Sequence, residues 1–381
     1  MATPVSDVLA DNIALSLIPQ IGPGIFKNII SYCGSSSNFF TMSQGRAVKI
    51  PGIGPKLLAL RKDHPQYRKL AEKIIQDCIK YDVQIHSYLD SSYPSRLKSF
   101  ADSPVILFTS GNINLNPERS IGIVGTRNAS EYGKSITRKI VEDLAPYRPI
   151  IISGLAYGID IEAHRAALQY DLPTIGVLGT SLDKIYPAAH KSTAQSMIEQ
   201  GGLLSEYKIG SELNKSNFPQ RNRIIAALSD AVIIVEAAIK GGALITAEIA
   251  YSYNREIFAV PGNLQSKYSE GCNNLIRTMK AGIYMGPKEI EEALSWSPPG
   301  AAPIAKAPAL DLDSFEPEEQ LILKSLIENK ELEIDRLSWI THIPLSQLAS
   351  KLLHLEFQGL IKPLPGKKYR MVDRRQWIGH S

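Results

Sequence analysis

Between residues 86 and 294 short apolar runs alternate with stretches of helical periodicity. The runs are IGIVG (121–125), IIISG (150–154), TIGVLG (174–179), LLSE (203–206), AVIIVEA (231–237) and IFAVPG (257–262). They are rich in Val and Ile and show no alternation, as strands covered on both faces do in a parallel sheet. Each passes through a glycine or polar turn into a helical stretch. These stretches begin near Ser135, Asp160, Ala188, Gln220, Gly242 and Gly271. Repeated strand–helix units predict an α/β fold with a doubly wound parallel sheet. In such sheets ligands bind outside the carboxyl ends of the strands. The loops after the six runs should therefore rise on one rim.

The flanks read differently. Residues 1–85 look helical and short-looped. They contain a weak repeat, IPQIGPGIFKNII from Ile18 and IPGIGPKLLALRK from Ile50. A glycine turn ahead of a helix exposes backbone N–H groups that can hold a phosphate. The second copy resembles a helix-hairpin-helix module; the first has Gln20 where that pattern wants glycine. Residues 295–315 are rich in Pro and Ala and read as a linker. Residues 316–381 form a tail domain. Its first helix starts after Glu316, with Pro317 suited to a first helical position. Two more helices follow in EIDRLSWITHI and PLSQLASKLLHLEFQGL, and IKPLPGKKYRMV reads as a two-stranded wing around Pro365-Gly366. The second of the paired helices would be the recognition helix, yet Lys351 is its only lysine. The wing carries Lys362, Lys367, Lys368 and Arg370.

Composition adds limits. A chain of 381 residues suggests two or three domains, and 44% hydrophobic residues suit a sizeable core. Lys+Arg exceed Asp+Glu by 42 − 38 = 4, which does not by itself demand nucleic acid. Cys33, Cys78 and Cys272 are scattered, with no CxxC pair, which argues against a disulfide framework or a zinc site and fits a reducing cytosol. The first twenty residues lack a basic start, and no apolar run reaches the roughly 18 residues of a membrane span. The expectation is a soluble, cytoplasmic protein with no membrane contact and no metal.

The rim loops carry the candidate chemistry. A dinucleotide site wants GxGxxG after the first strand; here stands Gly125-Thr126-Arg127, and no Walker A loop is present. Neither NAD nor ATP is expected as a cofactor. The rim instead offers cations beside glycines: Arg127 after the first run, Lys215, Arg221 and Arg223 at the fourth helix, and Lys240 before Gly241-Gly242. Arginine forks suit phosphate oxygens. Phe218 stands among these charges, and an aromatic beside arginines is a platform for an unpaired base. The alternative is that Phe218 is core and Arg221 pairs with an acid. Catalytic constellations find little support. Asp160 and His164 stand four apart on one helix, a spacing more often structural. Ser153 lacks a GxSxG elbow, and nothing pairs Glu206 with Glu236 as acid and base.

Taken in order, GIVGTR, ISGLAYGIDIEAHRAAL, TIGVLGTSLDKIYP, GGLLSEY, FPQRNRIIAALSDAVIIVEA, GGALITAEIA, FAVPGN and GCNNLI resemble the DprA/Smf family of DNA-processing proteins over about residues 95–285. The resemblance implies a Rossmann-like core between a sterile-alpha-motif-like and a winged-helix-like domain. It implies a homodimer that binds incoming single-stranded DNA in natural transformation, protects it and loads the RecA recombinase onto it. Such a protein is not an enzyme. The nucleic-acid-binding set would then be Gly125, Thr126, Arg127, Ser153, Gly154, Lys215, Phe218, Arg221, Asn222, Arg223, Lys240, Gly241 and Gly242. Arg127 would be the glycine-loop arginine, Phe218 the base-stacking aromatic, and Arg221-Asn222-Arg223 the rim segment beside it, with bracing of the loop from below the alternative for Arg223. The chain has Gly241-Gly242-Ala243 where the family often has Ser-Gly-Ser, which keeps backbone donors and loses a hydroxyl. TMKAG (278–282) replaces a frequent Gly-Ala ending near the expected dimer contact. Two other functions stay open: a nucleotide phosphoribohydrolase-like enzyme using the Gly-rich loop with Glu248, and a transcription regulator led by the winged tail.

Overall fold

The six apolar runs form six neighbouring parallel strands. In the computed structural model, which describes residues 7–297, 312, 315–329, 331–364 and 368–372, they are β3 (Ser120–Val124), β4 (Ile150–Ser153), β5 (Thr174–Val177), β6 (Gly202–Ser205), β7 (Ala231–Ile234) and β8 (Glu256–Ala259). Among the described residues three further strands join them: β1 (Gln84–Ser87), β2 (Ile106–Gly111) and β9 (Gly282–Ile283). The order is β1-β2-β6-β5-β4-β3-β7-β8-β9.

The sheet is mixed rather than wholly parallel. β2 runs antiparallel to β6, and β1 antiparallel to β2. β1 (QIHS) and β2 (ILFTSG) both lack the Val/Ile run that marked the other strands. From β3 the chain winds outward through β4, β5 and β6, then returns to β3's other side for β7, β8 and β9. The loops after β3 and β7 therefore diverge and open a crevice at the switch point.

Helices cover both faces. α8 (Glu131–Leu144), α9 (Ile159–Gln169) and α14 (Pro287–Leu294) share one core with Ile121, Ile123 and Ile233. α7 (Ser95–Lys98), α11 (Asn217–Leu228), α12 (Gly242–Ser252) and α13 (Glu270–Arg277) share another with Ile152, Val177 and Ile234. α10 (Lys191–Gln200) belongs to a third.

That third core also holds the amino-terminal helices α1 (Asp7–Leu17), α2 (Pro23–Cys33), α3 (Ser36–Thr41), α4 (Gln44–Ala47), α5 (Pro55–Leu60) and α6 (His64–Lys80). Phe26 and Phe39 lie in one apolar cluster with Phe108, Leu178 and Leu203 of the sheet. The helical segment and the sheet form one compact unit, Met1–Trp296. The repeat is visible in the backbone: Gly52 takes φ +88°, and Gln20 takes φ +73° without being glycine.

The second unit is Ser297–Ser381. It contains α15 (Pro317–Asn329), β10 (Glu331–Glu333), α16 (Ile334–Thr341), α17 (Leu345–Phe357), β11 (Ile361–Leu364) and β12 (Lys368–Met371), with sheet order β10-β12-β11. Ile322, Leu326, Leu337, Leu348 and Leu352 fill its core. α16, a turn through His342–Pro344, α17 and the β11–β12 wing make the expected winged helix. The wing turn at Pro365-Gly366, Lys367, and most of the stretch 295–315 lie outside the described residues.

Candidate nucleic-acid interface

The loop after β3 is pinned from three sides. A side chain at Gly125 would overlap Ile159 at the start of α9. Thr126 donates its N–H to the Glu236 carbonyl at 2.7 Å and accepts from the Ile159 N–H at 3.2 Å. Glu236 ends the β7 run. Its carboxylate accepts from the Ser130 N–H at 2.9 Å and the Ser130 hydroxyl at 2.5 Å, and Ser130 Oγ in turn caps α8 through the Gly133 N–H. An acid at a helix start is stabilised there, so Glu236 is a structural anchor. With its backbone fixed, the loop presents Arg127 outward. Its side chain is exposed and forms no ion pair among the described residues.

Opposite stands the start of α11. Phe218 is half-buried against Gly179, where a Cβ would approach its ring to 2.8 Å. The Arg127 guanidinium carbon lies 5.9 Å from the Phe218 ring centroid, within cation–π reach. Lys215 is exposed in the turn before the helix. Lys240, Gly241 and Gly242 are exposed at the start of α12, and Asn222 ties that start to α11 by donating to the Gly242 carbonyl at 3.3 Å.

The two arginines that follow Phe218 are not presented on the rim as Arg127 is. Arg221 is 3% exposed. Gly154, lacking a side chain, leaves a slot that the Arg221 guanidinium fills; a Cβ there would run into it. Arg221 donates to the Val177 carbonyl and sits near the Asp160 carboxylate. Burial lowers its pKa to about 10, partly offset by Asp160, so it stays charged at neutral pH. Burial raises the pKa of Asp160, opposed by Arg221 and by the N–H groups of Ala156 and Gly154. Arg223 pairs with Glu206 at 2.6 Å and lies 3.9 Å from Asp102. Both arginines brace α11 from below.

Ser153 is also off the rim. It is fully buried and donates to the Ile123 carbonyl at 2.6 Å. The structure thus brings Gly125, Thr126, Arg127 and Phe218 together, with Lys215 and the Lys240–Gly242 start of α12 on flanking loops. Gly154, Arg221, Asn222 and Arg223 lie beneath them. Sequence reasoning missed Tyr186, whose ring centroid is 5.5 Å from that of Phe218. It also missed Asp160 as the acid whose charge offsets the burial of Arg221; the signal in the sequence was an acid opening α9.

No acid–base pair forms from the other candidates. His164 bonds Thr174 Oγ1 at 2.7 Å, and burial, with Arg221 and His190 nearby, holds its pKa at about 3, so the ring is neutral. Glu248 is held by Lys280 at 2.7 Å. On α17, Lys351 pairs with Glu316 and His354 with Glu319, leaving Leu345, Leu353 and Phe357 exposed. Among the described residues no cluster of His, Cys, Asp or Glu could hold a metal ion, and no helix is long and apolar enough to cross a membrane.

The model of the family described as DNA recombination-mediator protein A matches residues 84–295, and that of the DprA winged helix domain matches residues 301–367. The chain belongs to the DNA recombination-mediator protein A (DprA) family. Protein Smf of Escherichia coli (strain K12) is 37% identical over 286 residues, which cover 73% of this chain and 75% of that one. DNA processing protein DprA of Streptococcus pneumoniae is 42% identical over 191 residues, covering 50% and 67%. The X-ray structure of the Streptococcus pneumoniae DprA superposes with a TM-score of 0.63 at 31% identity, covering 73% of this chain and 94% of that one. A structure of Helicobacter pylori DNA processing protein A, which concerns that protein's single-stranded DNA binding mode, gives 0.51 at 31% identity over 56% and 96%. The Rossmann-like fold with a carboxy-terminal winged helix is that of a DprA protein.

Proposed function

We propose that this DprA-family protein binds single-stranded DNA along the rim of its sheet, protects it, and loads RecA recombinase onto it in natural transformation. It acts as a cytoplasmic homodimer and turns over no substrate. The observation that carries the rim assignment is the pairing of Arg127 with Phe218. An exposed guanidinium that forms no ion pair is a phosphate ligand in waiting, and the ring beside it offers a face on which any base can stack. Lys215 and Lys240 add cations on either side, and the amides at Gly241 and Gly242 add donors at a helix start. The structure of the Helicobacter pylori relative with its single-stranded DNA binding mode supports the choice of ligand. RecA loading, the dimer and transformation rest on the family resemblance.

The test is Phe218→Ala with a labelled oligo-dT strand. Its affinity should fall by about 1–3 kcal/mol while the salt dependence is unchanged, because stacking releases no counterions. A folded variant that binds like wild type would remove Phe218 from the interface.

A further inference from the structure

The aromatic surface around Arg127 extends beyond Phe218. Tyr186 is 47% exposed and Tyr157 49% exposed, and neither hydroxyl bonds a protein group among the described residues. Tyr186 leans on Phe218 with an interplanar angle of 47°. Tyr157 meets His190 edge-on at 4.9 Å, and His190 is fixed by a 2.8 Å bond to the Leu155 carbonyl. The next residue, Gly158, lies so close to the Arg127 loop that a Cβ would stand 2.7 Å from the Arg127 carbonyl. The loops after β4 and β5 and the start of α11 thus supply three rings beside the loop that carries Arg127. Large rings left half in water with no bond for their polar ends have contact surface to spare.

Resting on the single-strand reading above, we propose that Tyr186 and Tyr157 are two further base-stacking platforms. The strand would lay one base each on Phe218, Tyr186 and Tyr157, with a phosphate at Arg127. The geometry also constrains how. A base slipped between two rings needs them about 7 Å apart, twice the carbon contact distance; Phe218 and Tyr186 stand 5.5 Å apart. Bases must therefore stack on outer ring faces, splayed from one another. Stacking of this kind is tolerant of sequence.

The experiment compares Tyr186→Ala, Tyr157→Ala and the matching Tyr→Phe variants for affinity to labelled oligo-dT across a salt series. Each Ala variant should bind about 5- to 150-fold more weakly, the range of one lost stack. The salt slope should not change, and each Phe variant should bind like wild type. An Ala variant at wild-type affinity, a Phe variant as weak as the Ala one, or an altered salt slope would overturn the assignment. If an Ala variant fails to fold, strands carrying abasic sites decide with the wild-type protein: the same loss is expected, and no loss overturns the proposal. Phe218→Ala and Arg127→Ala run alongside. If they too bind like wild type, the rim reading itself fails; if they weaken while the tyrosine variants do not, only this inference fails.

Discussion

Arg221 and Arg127 act on one another as like charges, and Asp160 draws on both, more strongly on Arg221; Arg221 is buried beside it while Arg127 is exposed. That difference assigns their work. Arg221 is buried near Asp160 and bonded to the Val177 carbonyl, and removing it leaves those buried polar groups without their partner, at a cost of about 1–3 kcal/mol. Arg221→Met should therefore lower unfolding stability in urea by that order, and adding Asp160→Asn should recover part of it. A variant that kept full stability and lost only DNA affinity would return Arg221 to the ligand. Arg127, exposed on a loop whose backbone is held by other residues, should show the reverse pattern.

At the scale of elements, the six parallel strands were legible because strands covered on both faces need no polar positions. ILFTSG and QIHS were not. They join one end of the sheet, β2 on β6 and β1 on β2, by antiparallel pairings that depend on the fold around them. The start of α11 was legible as a cluster of cations and an aromatic beside the right strand ends. Which cation turned inward was not, because the deciding residue, Gly154, lies on another element. Gly154 predicts a separate effect. Gly154→Ala would push the Arg221 guanidinium from its slot and shift α11 with Phe218 on it. It should weaken both stability and single-strand affinity, although Gly154 itself has no side chain to touch DNA. Gly242→Ala, whose Cβ meets nothing within 4 Å, is its control and should leave stability intact. Equal behaviour of the two variants would mean that the slot does not position the helix.

At the scale of the whole molecule, the proposed single-strand site and the winged helix belong to different compact units. Their surfaces differ in kind. The sheet rim carries Arg127, Lys215 and Lys240, which form no ion pairs among the described residues. The helix that would enter a duplex groove has its Lys351 and His354 held by glutamates. This contrast favours a molecule whose nucleic-acid affinity resides in the first unit and is directed to single strands. The amino-terminal helices share a core with the sheet, so they belong to the same folding unit as the rim.

The most direct test of this account is the anisotropy of a labelled oligo-dT strand with wild type and Arg127→Ala at several salt concentrations, against a duplex competitor. The account predicts salt-sensitive binding that prefers the single strand, weakened in Arg127→Ala with a log–log salt slope smaller by about one unit. A slope and affinity unchanged by the substitution, or a preference for duplex, would contradict it and move the nucleic acid away from the rim.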